Sequence, residues 1–467
     1  MLFNTPIFFL FLIVFLLFYG FVFLRDKPRV YFILVASLVF YGTWNYRFIP
    51  LLVGSAIIDY FIAQAIQKAP NPSRKKFLLF LSVFMNMGIL ALFKYADFLL
   101  LSVADFLGLF GYQANVPTLS WVLPVGISFY TFQSLSYTID VYRGDMQARK
   151  GLAQFTAALA FFPQLVAGPI LRARHILPQF HKIPTPTWNM VKLGFLLITI
   201  GLLKKTIADL LAAPAATAFD TAGVSLMETW TGVLAFAGQI YGDFSGYSDM
   251  AIGIALLLGF QIPANFRLPY FAVSPVDFWR RWHISLSSWL RDYLYISLGG
   301  KYARTRNVMI TMLLGGLWHG AAWTFVAWGV FHGLIIIGTH YLGQQAIFAN
   351  FANSHKKLAV FLKWAITFYL VLLGWVLFRA VDLDSAWRIF LDMHTFVGLP
   401  DSGVNALTIF LLTTGALAFM HIVDLFVIRK GDAFIHKTWF FWPVLVLIQA
   451  VCLLIGEPSN AFIYFQF

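Results

Sequence analysis

Long apolar runs, broken by short polar and basic clusters, dominate the chain. A helix that crosses a bilayer needs about 20 mostly apolar residues. Runs of that kind fall near 5–23, 30–66, 77–94, 121–142, 152–170, 190–213, 229–260, 308–344, 358–378, 404–428 and 438–456. The 30–66 run is long enough for two helices, and 98–112 is apolar but short, as an interfacial or re-entrant piece would be. The pattern predicts an all-α polytopic membrane protein with about ten to thirteen spans. No polar stretch between runs is long enough for a separate soluble domain, so residues 1–467 are expected to form a single transmembrane domain. The run Phe8 to Phe23 has no basic segment before it and no small-residue cleavage site after it. It reads as a retained first span.

Composition agrees. Apolar residues make up 60% of the chain and charged residues 11%, against about 25% charged in a soluble domain. The net charge of +13 does not signal nucleic-acid binding, which needs one contiguous basic face. The basic residues fall instead in clusters between runs: Arg25, Lys27 and Arg29; Lys68, Arg74, Lys75 and Lys76; Arg143, Arg149 and Lys150. That distribution marks cytoplasmic loops, and with Arg25 and Lys27 inside, the N-terminus faces outward. The single cysteine, Cys452, lies in an apolar run. It excludes an internal disulfide and reads as a small buried hydrophobe.

One region breaks the pattern. From Asp277 to Arg306, six basic residues (Arg280, Arg281, Arg291, Lys301, Arg304, Arg306) against two acidic ones leave +4, with Phe278, Trp279, Trp282, Trp289, Tyr293 and Tyr295 interleaved. Ser274-Pro275 followed by Asp277 is a helix start. The segment is expected to be a helix lying in the interface or dipping into it, either as a plain anchor or as part of a site.

Some chemistry is missing. The sequence has no phosphate-binding G-x-x-x-x-G-K-[ST] loop, no H-E-x-x-H zinc pair and no G-x-S-x-G nucleophile elbow. Neither of the two glutamates, Glu228 and Glu457, is near a histidine in sequence, and no metal site is expected. His319 sits within an apolar run, where an ionisable group is costly and marks function by default. Its side chain leans over Gly315 and Gly316, which leaves open space for a substrate. The other reading is helix packing through the small-xxx-small pair Gly316 and Gly320. If the run is one straight helix, His332 lies about 220° round and about 20 Å along from His319. It would then pair with another helix or line a pathway, and His283 is the better second polar group. In residues 241–253, Asp243 and Tyr247 are four apart, as are Ser245 and Asp249, so each pair can touch. The two aspartates need partners, which Arg or His elsewhere could supply. The patch either lines a polar pathway or is a buried network that fixes packing, the latter being preferred.

At these residues the chain resembles the membrane-bound O-acyltransferase superfamily, in its bacterial branch that includes the alginate O-acetylation membrane subunit. The resemblance rests on LPVGISFYTFQSLSYTIDVYRGD (123–145), FFPQLVAGPILR (161–172), YGDFSGYSDMAIG (241–253) and DFWRRWHISLSSWLRDYLYISLGG (277–300). GGLWHGAAWTFVAWGVFHG (315–333) and the terminal FIYFQF (462–467) extend it over nearly the whole chain. It implies a ring of tilted transmembrane and re-entrant helices, thin at its centre, in a bacterial cytoplasmic (inner) membrane. It implies catalysis by His319 with His283 as the second polar position, and no bound cofactor. The donor would be acetyl-CoA or another acyl thioester, held at a mouth formed by Arg280, Arg281, Arg291 and Trp282. Asp243, Ser245, Tyr247, Asp249, Trp318 and His332 would line the pathway. The expected activity is transfer of an acyl group, an acetyl group by this resemblance, to an exported or cell-wall glycan such as an alginate-like exopolysaccharide or peptidoglycan. A separate extracytoplasmic acetyltransferase or small membrane partner would complete the transfer. The rival expectation is a transporter or flippase of a lipid-linked substrate, for which polar residues within spans also suit.

Overall fold

A computed structural model describes residues 1–22, 25–112, 116–342, 355–395, 403–436, 438–455 and 463. Every regular element among them is helical. In chain order the α-helices are α1 (Pro6–Leu17), α2 (Asp26–Asn45), α3 (Ile49–Lys68), α4 (Pro72–Gly108), α5 (Ile127–Arg143), α6 (Leu152–Leu159), α7 (Phe162–Leu165), α8 (Ala173–His181), α9 (Trp188–Leu210) and α10 (Ala212–Asp220). They continue as α11 (Leu226–Leu257), α12 (Pro275–Arg281), α13 (Ile284–Trp289), α14 (Arg304–His319), α15 (Trp323–Leu342), α16 (Lys356–Arg379), α17 (Leu383–Asp392), α18 (Gly403–Ile435) and α19 (Thr438–Ile455).

Five stretches of described helix are long and apolar enough to cross a membrane: Asp26–Lys68, Pro72–Gly108, Trp323–Leu342, Lys356–Arg379 and Asn405–Gly431. Large apolar side chains such as Phe61, Phe80, Phe84 and Leu412 are exposed along them. Such a surface suits lipid, not water. The chain is therefore a polytopic, all-α membrane protein.

Three sequence expectations change. The 77–94 run and the 98–112 piece form one helix, α4, of 37 residues, because the polar residues between them do not break a helix. The 152–170 run is not a span. It holds the two short helices α6 and α7, and Phe155 to Leu171 are all buried. Pro163, at the start of α7, lacks the N–H that a continuing helix needs. The 308–344 run breaks at Gly320, which is extended at φ −160 and ψ 156.

The chain packs as two compact units, Met1–Gly194 with Ala251–Pro263, and Phe195–Met250 with Ala264–Phe467. In the first, Asp59 of α3 binds α4 and α5 together. It accepts from Ser82 at 2.6 Å, Asn86 at 2.7 Å and Ser134 at 2.5 Å. A buried carboxylate surrounded by donors in this way meets its hydrogen-bonding needs without a counter-charge. The second unit holds all of the candidate site residues.

Candidate active site

The break at Gly320 turns α14 and α15 into an antiparallel hairpin. At its open end Arg304 reaches His340 at 2.8 Å, and Thr305 reaches Tyr341 at 3.3 Å. Nearer the turn, Gly316 has no room for a side chain, because a Cβ there would meet the Phe325 carbonyl and Gly329. Gly329 faces Met312 in return. Close backbone approach through small residues is the way helices pack in lipid. Gly316 therefore packs against the returning helix, while Gly315, whose Cβ position is a tight 3.3 Å from Leu290 Cδ1, lines a cavity of about 100 Å³.

His319 ends α14 and lines the same cavity, with Leu286, Ser287, Leu290, Thr311 and Trp328. The residue is buried, and Trp328 and Phe378 meet its ring edge-on, both at 5.1 Å between centroids. The hairpin corrects the placing of His332. That residue is on the returning helix, level with Thr311, about 12 Å from His319 along the axis by helical rise. One ring separates them: Trp328 lies 5.1 Å from His319 and 4.6 Å from His332. Among the described residues, the indole N–H groups of Trp279 and Trp328 and Nδ1 of His332 have no hydrogen-bond partner.

The segment from 275 to 295 is not one helix. Ser274 caps α12 as its sequence predicts, accepting from Asp277 N at 3.1 Å. The chain then turns at Trp282 and His283, runs through α13, and continues as a π-turn over Leu290–Tyr295. The turn exists because His283 adopts the left-handed conformation, φ 43 and ψ 54. It aims the fully buried imidazole at Trp318, 5.7 Å away, and at His319, 6.4 Å away between ring centroids. Phe244 of α11 meets the other side of the ring at 4.6 Å. The structure therefore brings together His283, Trp318 and His319.

The cationic residues divide. Arg281 bonds Asp277 at 2.9 Å and Arg291 bonds Asp292 at 2.6 Å, while Arg280 is exposed with no bonded partner among the described residues. Trp282 is fully buried, stacked on Phe278 at 5.6 Å and against Trp375 at 4.8 Å.

Asp243, Ser245, Tyr247 and Asp249 are buried or nearly so in a different cluster. The partners of its aspartates are lysines, not Arg or His. Lys204 Nζ lies 2.5 Å from Asp249 and 2.8 Å from Asp424. Lys205 Nζ lies 2.6 Å from Asp209 and 3.0 Å from Asp243. Tyr241 donates to Asp424, and the ring of His421 stacks on Tyr241 at 4.4 Å. Asp243 also accepts from the backbone N–H of Ile463 at 2.6 Å. Ile463 is the described residue of the terminal FIYFQF block, whose other residues lie outside the described ones. The sequence reading missed both lysines, although two cations at mid-run in residues 190–213 were a visible signal. It also missed Asp424 and Trp328. A larger cavity of about 650 Å³, lined by Leu211, Pro214, Ile409 and Leu412, holds one carboxylate, Glu228, and no imidazole. Glu228 is already engaged by the Ser225 N–H and hydroxyl at 2.9 and 2.7 Å.

A buried imidazole on the wall of a small cavity, with a second one 6.4 Å away, suits proton transfer or acyl capture, and comparison with known proteins fixes the family. Residues 147–381, which include both imidazoles, match the membrane-bound O-acyltransferase family. A probable alginate O-acetylase of Pseudomonas aeruginosa is 43% identical over 91% of this chain and 80% of its own length. A peptidoglycan O-acetyltransferase of Helicobacter pylori is 36% identical over 97% of this chain and 89% of its own. A teichoic acid D-alanyltransferase of Streptococcus thermophilus is 28% identical over 56% of this chain and 69% of its own. With a buried histidine at the end of a broken helix, and relatives similar along nearly its whole length, the chain belongs to the membrane-bound O-acyltransferase family and is an acyltransferase of the membrane.

Proposed function

We propose that this protein moves an acetyl group from acetyl-CoA, bound at the cytoplasmic face of a bacterial inner membrane, toward a hydroxyl of an exported or cell-wall glycan. The observation that carries the reading is His319 on the wall of a cavity of about 100 Å³. A water molecule takes about 30 Å³ of liquid, so this space has room for a group the size of acetyl. The relatives that match over nearly the whole chain are named for O-acetyl transfer to alginate and to peptidoglycan. The D-alanyl relative matches only 56% of the chain.

His319 is the catalytic base or acyl acceptor. As a base it takes the proton of the acceptor hydroxyl while the oxygen attacks the thioester carbonyl. As an acceptor it takes the acetyl group, releases the CoA thiol and passes the group on. His283 sits across from it as the second polar group. The unpartnered indole N–H groups of Trp279 and Trp328, at the same cavity, supply donors for the carbonyl oxygen as charge develops there. Arg280, exposed and unpaired, is the guanidinium available to the CoA phosphates. The lysine–aspartate cluster is a structural network. The transporter alternative gains no support from the relatives.

A separate extracytoplasmic acetyltransferase or a small membrane protein completes transfer to the polymer. The test is reconstitution in liposomes with acetyl-CoA inside and polysaccharide outside. Thiol should appear inside, with efficient polymer acetylation only when the partner is added. Glycolipid movement without thiol release would overturn the acyltransferase reading. Efficient acetylation by this protein alone would overturn the partner.

A further inference from the structure

His283 holds a backbone conformation that side chains other than glycine rarely adopt. Such residues persist only where the surroundings over-determine them, and they cluster at functional sites. Here one residue supplies most of the bracing. The Asn265 carbonyl oxygen accepts from Ile284 N at 2.9 Å. Its side-chain Oδ1 accepts from Ser285 N at 3.1 Å and from Ser285 Oγ at 2.9 Å. Its Nδ2 donates to Ser248 Oγ on α11 at 3.2 Å. On the other side of the turn, Arg267 N donates to Arg281 O at 3.0 Å. Residues 265 and 267 therefore grip the chain immediately before and after the Trp282–His283 pair.

Asn265, Ser248 and Ser285 are all buried, so these bonds form away from competing water. α11 meets the His283 ring directly through Phe244, and it reaches the turn indirectly through the Ser248–Asn265 bond. The amide serves both serines at once, accepting from Ser285 through Oδ1 and donating to Ser248 through Nδ2. Leucine, of similar size, can do neither.

We propose that Asn265 is a positioning residue for acyl transfer: it braces the left-handed turn that points the His283 imidazole at His319. This rests on the reading that His283 takes part in the reaction. Asn265 does not line the cavity, so its effect runs through His283.

The test uses the full chain in detergent, with acetyl-CoA consumption counted per folded molecule recovered by size exclusion. Asn265→Leu should lower kcat about 10- to 100-fold, the scale of a misplacement near 1 Å, with KM for acetyl-CoA within about twofold. Ser285→Ala removes one bond of the brace, is gentler on folding, and should lower kcat about threefold. In a His283→Ala background both substitutions should have almost no further effect, since coupled residues are not additive. A loss of folded yield with unchanged kcat per folded molecule would overturn the proposal. So would a change confined to KM, or equal losses with and without His283. Wild-type turnover by His283→Ala alone would instead overturn the reading of His283 on which the proposal rests.

Discussion

Two buried polar regions lie in the same compact unit, and they are built on opposite principles. Around His319 and His283 the neighbours are rings: Trp318, Trp328, Phe244 and Phe378. A cavity stays open beside the imidazole. Around Lys204 and Lys205 the neighbours are charges, each ammonium held between two carboxylates at 2.5 to 3.0 Å. The first region is polar beside open space and so keeps capacity for a substrate. The second spends its hydrogen bonds on itself and so fixes helices α9, α11 and α18 to one another. Burial of a polar group in a membrane body is thus no sufficient sign of catalysis. The space beside it decides.

That contrast can be broken from either side. The largest expected effect is on chemistry: His319→Ala should reduce acyl transfer by at least about 1000-fold, with insertion and purification unchanged. Next is stability. Lys204→Met leaves Asp249 and Asp424 buried without their shared cation, and breaking such a set costs about 3–5 kcal/mol. The fall in melting temperature in detergent measures it, while turnover per folded molecule should hold. Third, Arg280→Gln should raise KM for acetyl-CoA about fivefold with little change in kcat, the mark of lost uniform binding. Arg281→Gln should do less, because Asp277 already holds that guanidinium. An equal effect of the two would show that exposure is the wrong criterion. The smallest effect concerns the cavity. Leu290→Ala widens it, and one methylene is worth about 10-fold or more in discrimination. The ratio of propionyl-CoA to acetyl-CoA turnover should rise by that order.

The comparison also shows what the sequence could say. The helical membrane class was legible because lipid demands apolar runs of a set length. His319 and His283 were legible through the motif blocks that carry them. The helix break at Gly320 was not, because apolarity is continuous through the hairpin turn and periodicity alone does not mark the reversal. His332 was therefore assigned too great a distance. The partners of Asp243 and Asp249 lie 38 and 45 residues upstream, at Lys205 and Lys204, and local spacing does not reveal a pairing of that kind. The brace at Asn265 was hidden for the same reason. It depends on a left-handed residue 18 positions later, and although histidine visits that region more often than most residues, the preference is too weak to place it in advance.

The most direct test of the central claim sets His319→Ala and Lys204→Met side by side in one experiment. Each is purified as the folded full chain, given acetyl-CoA and a glycan acceptor, and followed by free thiol per folded molecule and by melting temperature. The account predicts opposite outcomes: no thiol release and an unchanged melting temperature for His319→Ala, near-normal release and a lowered melting temperature for Lys204→Met. Thiol release by folded His319→Ala at the wild-type rate would contradict it.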